Sequence, residues 1–274
     1  MTLLIKEFFG IDGFNRTPEG YMSWQHLTFV TSLMVIMVLC AIWLGRKNRN
    51  ASDKAKNKVL IFSAFLINII ELTKTVYYCI DAGSLSAIRD NLPLFLCSIQ
   101  LIAIPLAAFA KARLKESALD FVFIFGLLGA VLGTYAAGQN YAAYPVISFI
   151  NVNSGLTHTI SGFCSIYIAV SGMVSMKKKN IWITITTLTC FILAAYIANI
   201  INNPDYQYNY MFLTAGDGTP YDILYNMVGG NAILYPIGVA LLFFVYIAIF
   251  YFAYSFFTKK SKSKNTSEKQ VCNV

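Results

Sequence analysis

The chain has 274 residues, of which 57% are hydrophobic and 12% are charged, and its mean hydropathy is +0.59. These values are typical of a polytopic membrane protein and exclude a soluble domain of the same length. The net charge of +8 does not indicate nucleic-acid binding, because most of the basic residues lie in short segments that flank the apolar runs.

Seven apolar runs are long enough, at about 20 residues each, to cross a bilayer as helices. They are predicted near residues 22–45, 58–80, 92–110, 117–138, 154–176, 181–202 and 231–257. The sequence therefore predicts an all-α fold, a polytopic membrane helical bundle, with one seven-helix transmembrane domain over residues 1–258. Residues 1–20 are predicted to form an interfacial N-terminal segment, and residues 259–274 a disordered basic cytoplasmic tail.

The basic residues lie on one side of this predicted bundle. Seventeen of the 21 lysines and arginines fall in the segments 46–58, 111–115, 177–179 and 259–269. Because cytoplasmic connections carry the excess of basic residues, the N-terminus is predicted outside and the C-terminus in the cytoplasm. The predicted location is the cell membrane, and the predicted partners are its lipids.

The first three spans carry polar side chains in their outer halves. His26 follows Trp24 at the start of the first span, and the second contains Asn68, Glu71 and Lys74. Glu71 and Lys74 are three residues apart, a spacing that favours an ion pair. The third span opens on residues 91–100, Asn-Leu-Pro-Leu-Phe-Leu-Cys-Ser-Ile-Gln, where a proline is tolerated in the first helical turn. Cys97 and Gln100 are predicted on one face of that helix.

The fifth and sixth spans repeat this pattern. His158 lies in the outer third of the fifth span, and Asn199 and Asn202 lie near the outer end of the sixth. Lipid cannot satisfy such groups, so polar side chains at membrane depth normally face the bundle interior or a water-filled cavity. The sequence therefore predicts one polar pocket, open towards the outer leaflet, that these residues share.

Several chemistries are compatible with this residue set. Cys97 beside His158 would form a nucleophile and base, with Glu71 or an asparagine orienting the imidazole. His26, His158 and Glu71 are an alternative three-ligand metal set, with Cys97 or water as the fourth ligand. The simplest interpretation is that they are satisfied polar groups of a packed bundle, since buried cysteines usually act as small hydrophobes. No local spacing connects the histidines, so we predict no metal and no cofactor.

The proline–cysteine stretch resembles a known signature. Residues 92–98, Leu-Pro-Leu-Phe-Leu-Cys-Ser, resemble the Leu-Pro-Leu-His-Leu-Cys motif of the YwaF-like bacterial integral membrane proteins, which are similar to animal transmembrane protein 164. The resemblance also includes His26, Pro145, His158, the segment 209–213 (Asn-Tyr-Met-Phe-Leu) and Pro220.

This resemblance implies a function. The animal relative is regarded as a cysteine-dependent acyltransferase that remodels ether phospholipids, which implies Cys97 as the acyl-accepting nucleophile and His158 as its base. One departure is Phe95, where the bacterial signature has histidine. The implied activity is that of a phospholipid acyltransferase or lipid acyl hydrolase. The alternative is a non-enzymatic carrier or receptor that binds a polar solute or a lipid head group in the same pocket.

Overall fold

The computed structural model describes residues 3–85, 88, 91–201 and 209–271, and all regular elements among them are helical. This confirms the predicted all-α class. In chain order the α-helices are α1 (Leu3–Phe9), α2 (Trp24–Asn48), α3 (Asp53–Asp81), α4 (Gln100–Phe109), α5 (Ala112–Tyr135), α6 (Gly138–Ala143), α7 (Phe149–Val170), α8 (Ile181–Ile201), α9 (Tyr221–Met227) and α10 (Leu234–Val271).

The helices form two compact units, residues 1–174 and residues 175–274. The first contains α1 to α7, and the second contains α8 to α10 with short 3-10 turns at Lys178–Asn180 and Tyr210–Phe212. The prediction of one domain over 1–258 stays a prediction. In the second unit the backbone is helical through Val271, and the disorder of 259–274 also stays a prediction.

Five stretches of helix in the described residues are long and apolar enough to cross a membrane. They are Trp24–Asn48, Asp53–Asp81, Ala112–Ala143, Lys178–Ile201 and Leu234–Phe256, and Gln100–Phe109 is a shorter apolar helix. The chain is therefore a multi-pass membrane protein. The count of seven spans and the orientation of the termini stay predictions.

The third predicted span is not the continuous helix over 92–110 that the sequence predicts. The chain forms consecutive turns before Gln100, and only the 10 residues Gln100–Phe109 are α-helical. The proline ring of Pro93 disfavours a helical conformation for the preceding Leu92, which explains why the helix does not begin there. The predicted helical face shared by Cys97 and Gln100 is therefore wrong, because Cys97 lies in a turn.

Helix α7 is central to the first unit and packs against α2, α3 and α5, while α4 packs against both α3 and α5. Small residues allow the contact between α5 and α7 to be close. A Cβ on Gly126 would lie 2.7 Å from the backbone oxygen of Ser161. The hydroxyl of Ser161 donates to the carbonyl of Gly126 at 3.2 Å, and that of Ser165 donates to the carbonyl of Phe123 at 2.7 Å.

The N-terminal segment packs on the end of this helical unit. The Tyr77 hydroxyl of α3 donates to the carbonyl of Phe9 at 2.6 Å, and the Phe9 ring stacks on Phe149 of α7 at 5.1 Å. Arg16 donates to the carbonyl of Ile147 at 2.8 Å. These contacts connect the segment to α3 and α7, and its position at the membrane interface stays a prediction.

Candidate functional site

A small cavity lies between α3, α7 and the turn before α4. Its volume is about 50 Å³, which is room for a few water molecules or one small polar group. Two lining residues are apolar, and each of the other seven carries a charge, a thiol, a hydroxyl or an imidazole. The lining consists of Ile67, Glu71, Lys74, Cys97, Ser98, Leu101, Ser154, Thr157 and His158.

Cys97 enters this cavity from the turn that leads into α4. Its carbonyl accepts a hydrogen bond from the N–H of Gln100, the first residue of that helix, at 3.3 Å. Cys97 and the neighbouring Ser98 both line the cavity. The turn therefore brings a thiol and a hydroxyl to the same small space.

His158 approaches the cavity from α7. Its ring occupies the space in which a side chain on Gly133 of α5 would stand, since a Cβ there would overlap the imidazole. The α5 backbone near Gly129 also interacts with the imidazole. Packing against α5 therefore holds the ring beside the cavity. Orientation of the imidazole by Glu71 or an asparagine stays a prediction.

Two neighbouring turns of α5 contact Cys97 and His158. A Cβ on Gly129 would lie 3.5 Å from the Cα and the Cβ of Cys97, and Gly133, one turn further along, holds the His158 ring. Residues four apart on a helix lie on one face and are separated by about 6 Å along its axis. The thiol and the imidazole are therefore placed against neighbouring positions of one helical face and line one cavity.

Glu71 and Lys74 provide the charges at this cavity. The Lys74 ammonium lies 2.5 Å from the Glu71 carboxylate, so the pair expected from their spacing is formed. The side chain of Lys74 is only 19% exposed, and that of Glu71 is only 17% exposed. Lys74 lines the same cavity as Cys97 and His158, which brings its positive charge near both.

A comparison with models of protein families identifies the family to which this chain is related. The model of the TMEM164 family matches residues 21–254, which is more than four fifths of the chain and includes the whole cavity. The chain belongs to the TMEM164 family. This confirms the resemblance to animal transmembrane protein 164, while the resemblance to the YwaF-like bacterial proteins stays a prediction. The curated proteins and the solved structures contain no match to the chain.

Asn68 does not line the cavity of this TMEM164-family protein, although it was predicted as a pocket residue. Its amide donates to the carbonyls of Ala64 at 2.9 Å and of Leu101 at 3.1 Å. Pro105 lies four residues after Leu101 inside α4 and has no N–H to donate to that carbonyl. Asn68 therefore satisfies a backbone acceptor that the proline leaves without its helical partner.

This explanation predicts an energetic coupling between Asn68 and Pro105. Asn68→Leu should lower the free energy of unfolding by about 1–3 kcal/mol, because the Leu101 carbonyl loses its donor in an apolar environment. The loss should be smaller in a Pro105→Ala background, where residue 105 supplies its own N–H. A double-mutant cycle measured by unfolding in detergent checks this. Equal losses in both backgrounds would contradict it.

His26 is also remote from the cavity lining. Its Nδ1 accepts a hydrogen bond from the N–H of Met22 at 3.2 Å, and its Nε2 contacts the carbonyl of Thr134 at 3.1 Å. The ring is fully buried and stacks on Tyr141 at 3.9 Å. Both ring nitrogens have a backbone partner. His26 therefore connects the start of α2 to the end of α5.

Gln100 and Asn199, which were also predicted as pocket residues, do not line the cavity. Gln100 is fully buried at the first position of α4, and neither amide atom has a hydrogen-bond partner within the described chain. Asn199, in the second unit, donates to the carbonyl of Tyr210 at 3.1 Å and accepts from its N–H at 2.9 Å. It therefore holds the Tyr210–Phe212 turn. Asn202 lies outside the described residues.

The alternative metal set is not assembled. Within the part of the chain that the structure describes, no group of three or more His, Cys, Asp or Glu side chains is placed to hold a metal ion. The bonds of His26 to Met22 and Thr134 explain why it cannot share an ion with His158 and Glu71.

Sequence reasoning missed the hydroxyls and the glycines of the site. Ser98, Ser154 and Thr157 line the cavity, and Gly129 and Gly133 form the surface on which Cys97 and His158 rest. The four-residue spacing of the two glycines was visible as a small-residue pattern. Such patterns indicate a close helix contact and do not indicate which side chain fills the space.

Proposed function

We propose that this protein transfers or hydrolyses an acyl group of a membrane lipid through a thioester on Cys97, with His158 as general base. The observation that carries the proposal is that Cys97 and His158 pack against one face of α5, at glycines four residues apart, and line the same cavity. Family membership supports it, because the resemblance to transmembrane protein 164 implies the same two residues. We place the cavity towards the outer leaflet of the cell membrane.

The first step forms the thioester. His158 takes the proton of the Cys97 thiol on a ring nitrogen, and the sulfur attacks the carbonyl carbon of a lipid ester. A C–S bond forms, and the carbonyl electrons move to its oxygen. Backbone N–H groups of the turn that carries Cys97 stabilise this oxyanion. When the tetrahedral intermediate collapses, the C–O bond breaks and the leaving alkoxide takes the proton from His158.

The second step releases the acyl group. A hydroxyl of a second lipid, or water, gives its proton to His158 and attacks the thioester carbonyl. The C–S bond then breaks, and the sulfur recovers its proton from the imidazolium. A lipid hydroxyl as acceptor makes the protein an acyltransferase, and water makes it a hydrolase. The volume of about 50 Å³ fits the ester group alone, so the acyl chains lie outside the cavity.

Phe95 is compatible with this chemistry. The residue stands where the bacterial signature has histidine, and it is not among the residues that line the cavity. Its carbonyl accepts from the N–H of Ile99 at 3.0 Å and supports the turn that carries Cys97. We infer that this position shapes the turn and that the proton transfers need only His158.

The proposal is tested with a lipid ester probe whose acyl chain carries an alkyne. Wild-type protein in membranes should acquire a label that hydroxylamine removes, as a thioester requires, and Cys97→Ala should acquire none. Cys164→Ala is the matched control, because that thiol is fully buried elsewhere in the same unit. Labelling of Cys97→Ala at the wild-type level would exclude Cys97 as the nucleophile.

A second function is favoured by one observation, the Glu71–Lys74 pair at the same cavity. A zwitterionic head group or polar solute could exchange partners with this pair, and the protein would then be a carrier or receptor. In that case Cys97→Ser retains ligand binding and Glu71→Gln removes it, whereas the acylation mechanism requires the thiol.

A further inference from the structure

We propose that Lys74 is a positioning residue for the thioester chemistry, whose positive charge stabilises the Cys97 thiolate, and that Glu71 limits this effect. The inference rests on the proposed function for its purpose, but the charge interaction itself is measurable without any acyl transfer. The Glu71–Lys74 ion pair then contributes to the reaction as well as to the structure.

The geometry gives Lys74 more than one electrostatic partner. Its ammonium pairs with Glu71 on α3, and the same cavity brings the Cys97 thiol within its electrostatic range. His158 contributes the ionisable group from α7, and α5 contributes the uncharged Gly129 and Gly133 to the surface beneath. Lys74 is the one lysine or arginine among the residues that line this cavity.

The surroundings make this charge effective. Both side chains of the pair are largely shielded from solvent, and the cavity has little room for screening water. Charges interact more strongly in such a medium than in bulk water. A thiolate beside a lysine is formed more readily, whereas the Glu71 carboxylate repels it and neutralises part of the lysine charge. The pair therefore sets the reactivity of Cys97.

The test measures alkylation of Cys97 by iodoacetamide in the full-length protein, followed by mass spectrometry of the peptide that contains Cys97. At pH 7, Lys74→Met should slow this reaction about tenfold, because the thiolate fraction falls with loss of the nearby cation. Lys74→Arg should keep the rate within about twofold, because it retains the charge. Glu71→Gln should increase the rate.

The pH dependence of alkylation separates a charge effect from misfolding. Loss of the cation should move the midpoint of the pH–rate profile upward by about one pH unit in Lys74→Met, because a tenfold change in the thiolate fraction corresponds to one unit. Equal midpoints in Lys74→Met and wild type, or a slowing by the same factor up to and beyond both midpoints, would overturn the role of Lys74. A rate for Glu71→Gln at or below that of wild type would overturn the role of Glu71.

The two proposals fail in different ways. A thioester on Cys97 together with normal alkylation of Lys74→Met retains the proposed function and rejects this inference. Alkylation that depends on Lys74 in a protein that forms no thioester retains the charge interaction and rejects the function.

Discussion

His158→Ala is expected to slow acylation of Cys97 by about 100- to 10,000-fold, the usual contribution of a positioned general base. The imidazole lines the cavity that contains the thiol, and its ring packs against Gly133 of α5. The rate of labelling by the alkyne lipid ester measures this effect.

His26→Ala is the matched control, because His26 is the other histidine of the sequence. Its nitrogens bond to Met22 and Thr134, so the substitution should destabilise the fold by about 1–3 kcal/mol without changing the labelling rate of the folded protein. Equal losses of rate in the two variants, at equal amounts of folded protein, would contradict the assignment of His158 as base.

Gly133→Ala should have a comparably large effect on the labelling rate. The added methyl group overlaps the His158 ring, so the imidazole must leave its position on α5 and lose its contact with Gly129. A displacement of about 1 Å in a catalytic group is enough to reduce a rate about 100-fold.

Gly129→Ala provides the control on the same helix face. Its added methyl would lie 3.5 Å from Cys97, which is ordinary van der Waals contact, and both substitutions raise helix propensity equally. Labelling by Gly129→Ala should stay within a few fold of wild type, as estimated from an unstrained contact. A wild-type rate for Gly133→Ala, or a larger loss for Gly129→Ala, would show that His158 does not act from this position.

The helical fold and the membrane location follow from hydropathy alone, since about 20 consecutive apolar residues have few alternatives to a spanning helix. The third span shows where this reasoning fails. Its apolar composition predicted a continuous helix over 92–110, whereas the chain forms turns before Gln100, and Pro93 accounts only for the non-helical Leu92. That turn is the element that carries Cys97.

The sequence predicts how deep in the membrane the site residues lie, but it does not predict which way their side chains point. Counting residues along each span places Glu71, Lys74, Cys97 and His158 at a similar height, and these four line one cavity. His26 and Asn68 were predicted by the same count but face other parts of the unit. Depth does not determine the direction in which a side chain leaves its helix, and it cannot show that Pro105 requires a donor from Asn68.

The most direct test of the central claim, that Cys97 accepts an acyl group in the presence of His158, is peptide mass spectrometry after incubation of the purified protein with a phospholipid. The account predicts one acyl mass on the peptide containing Cys97, removed by hydroxylamine and absent from His158→Ala at short times. An acyl group on another residue, or an unmodified Cys97 in protein that consumes the lipid, would contradict it.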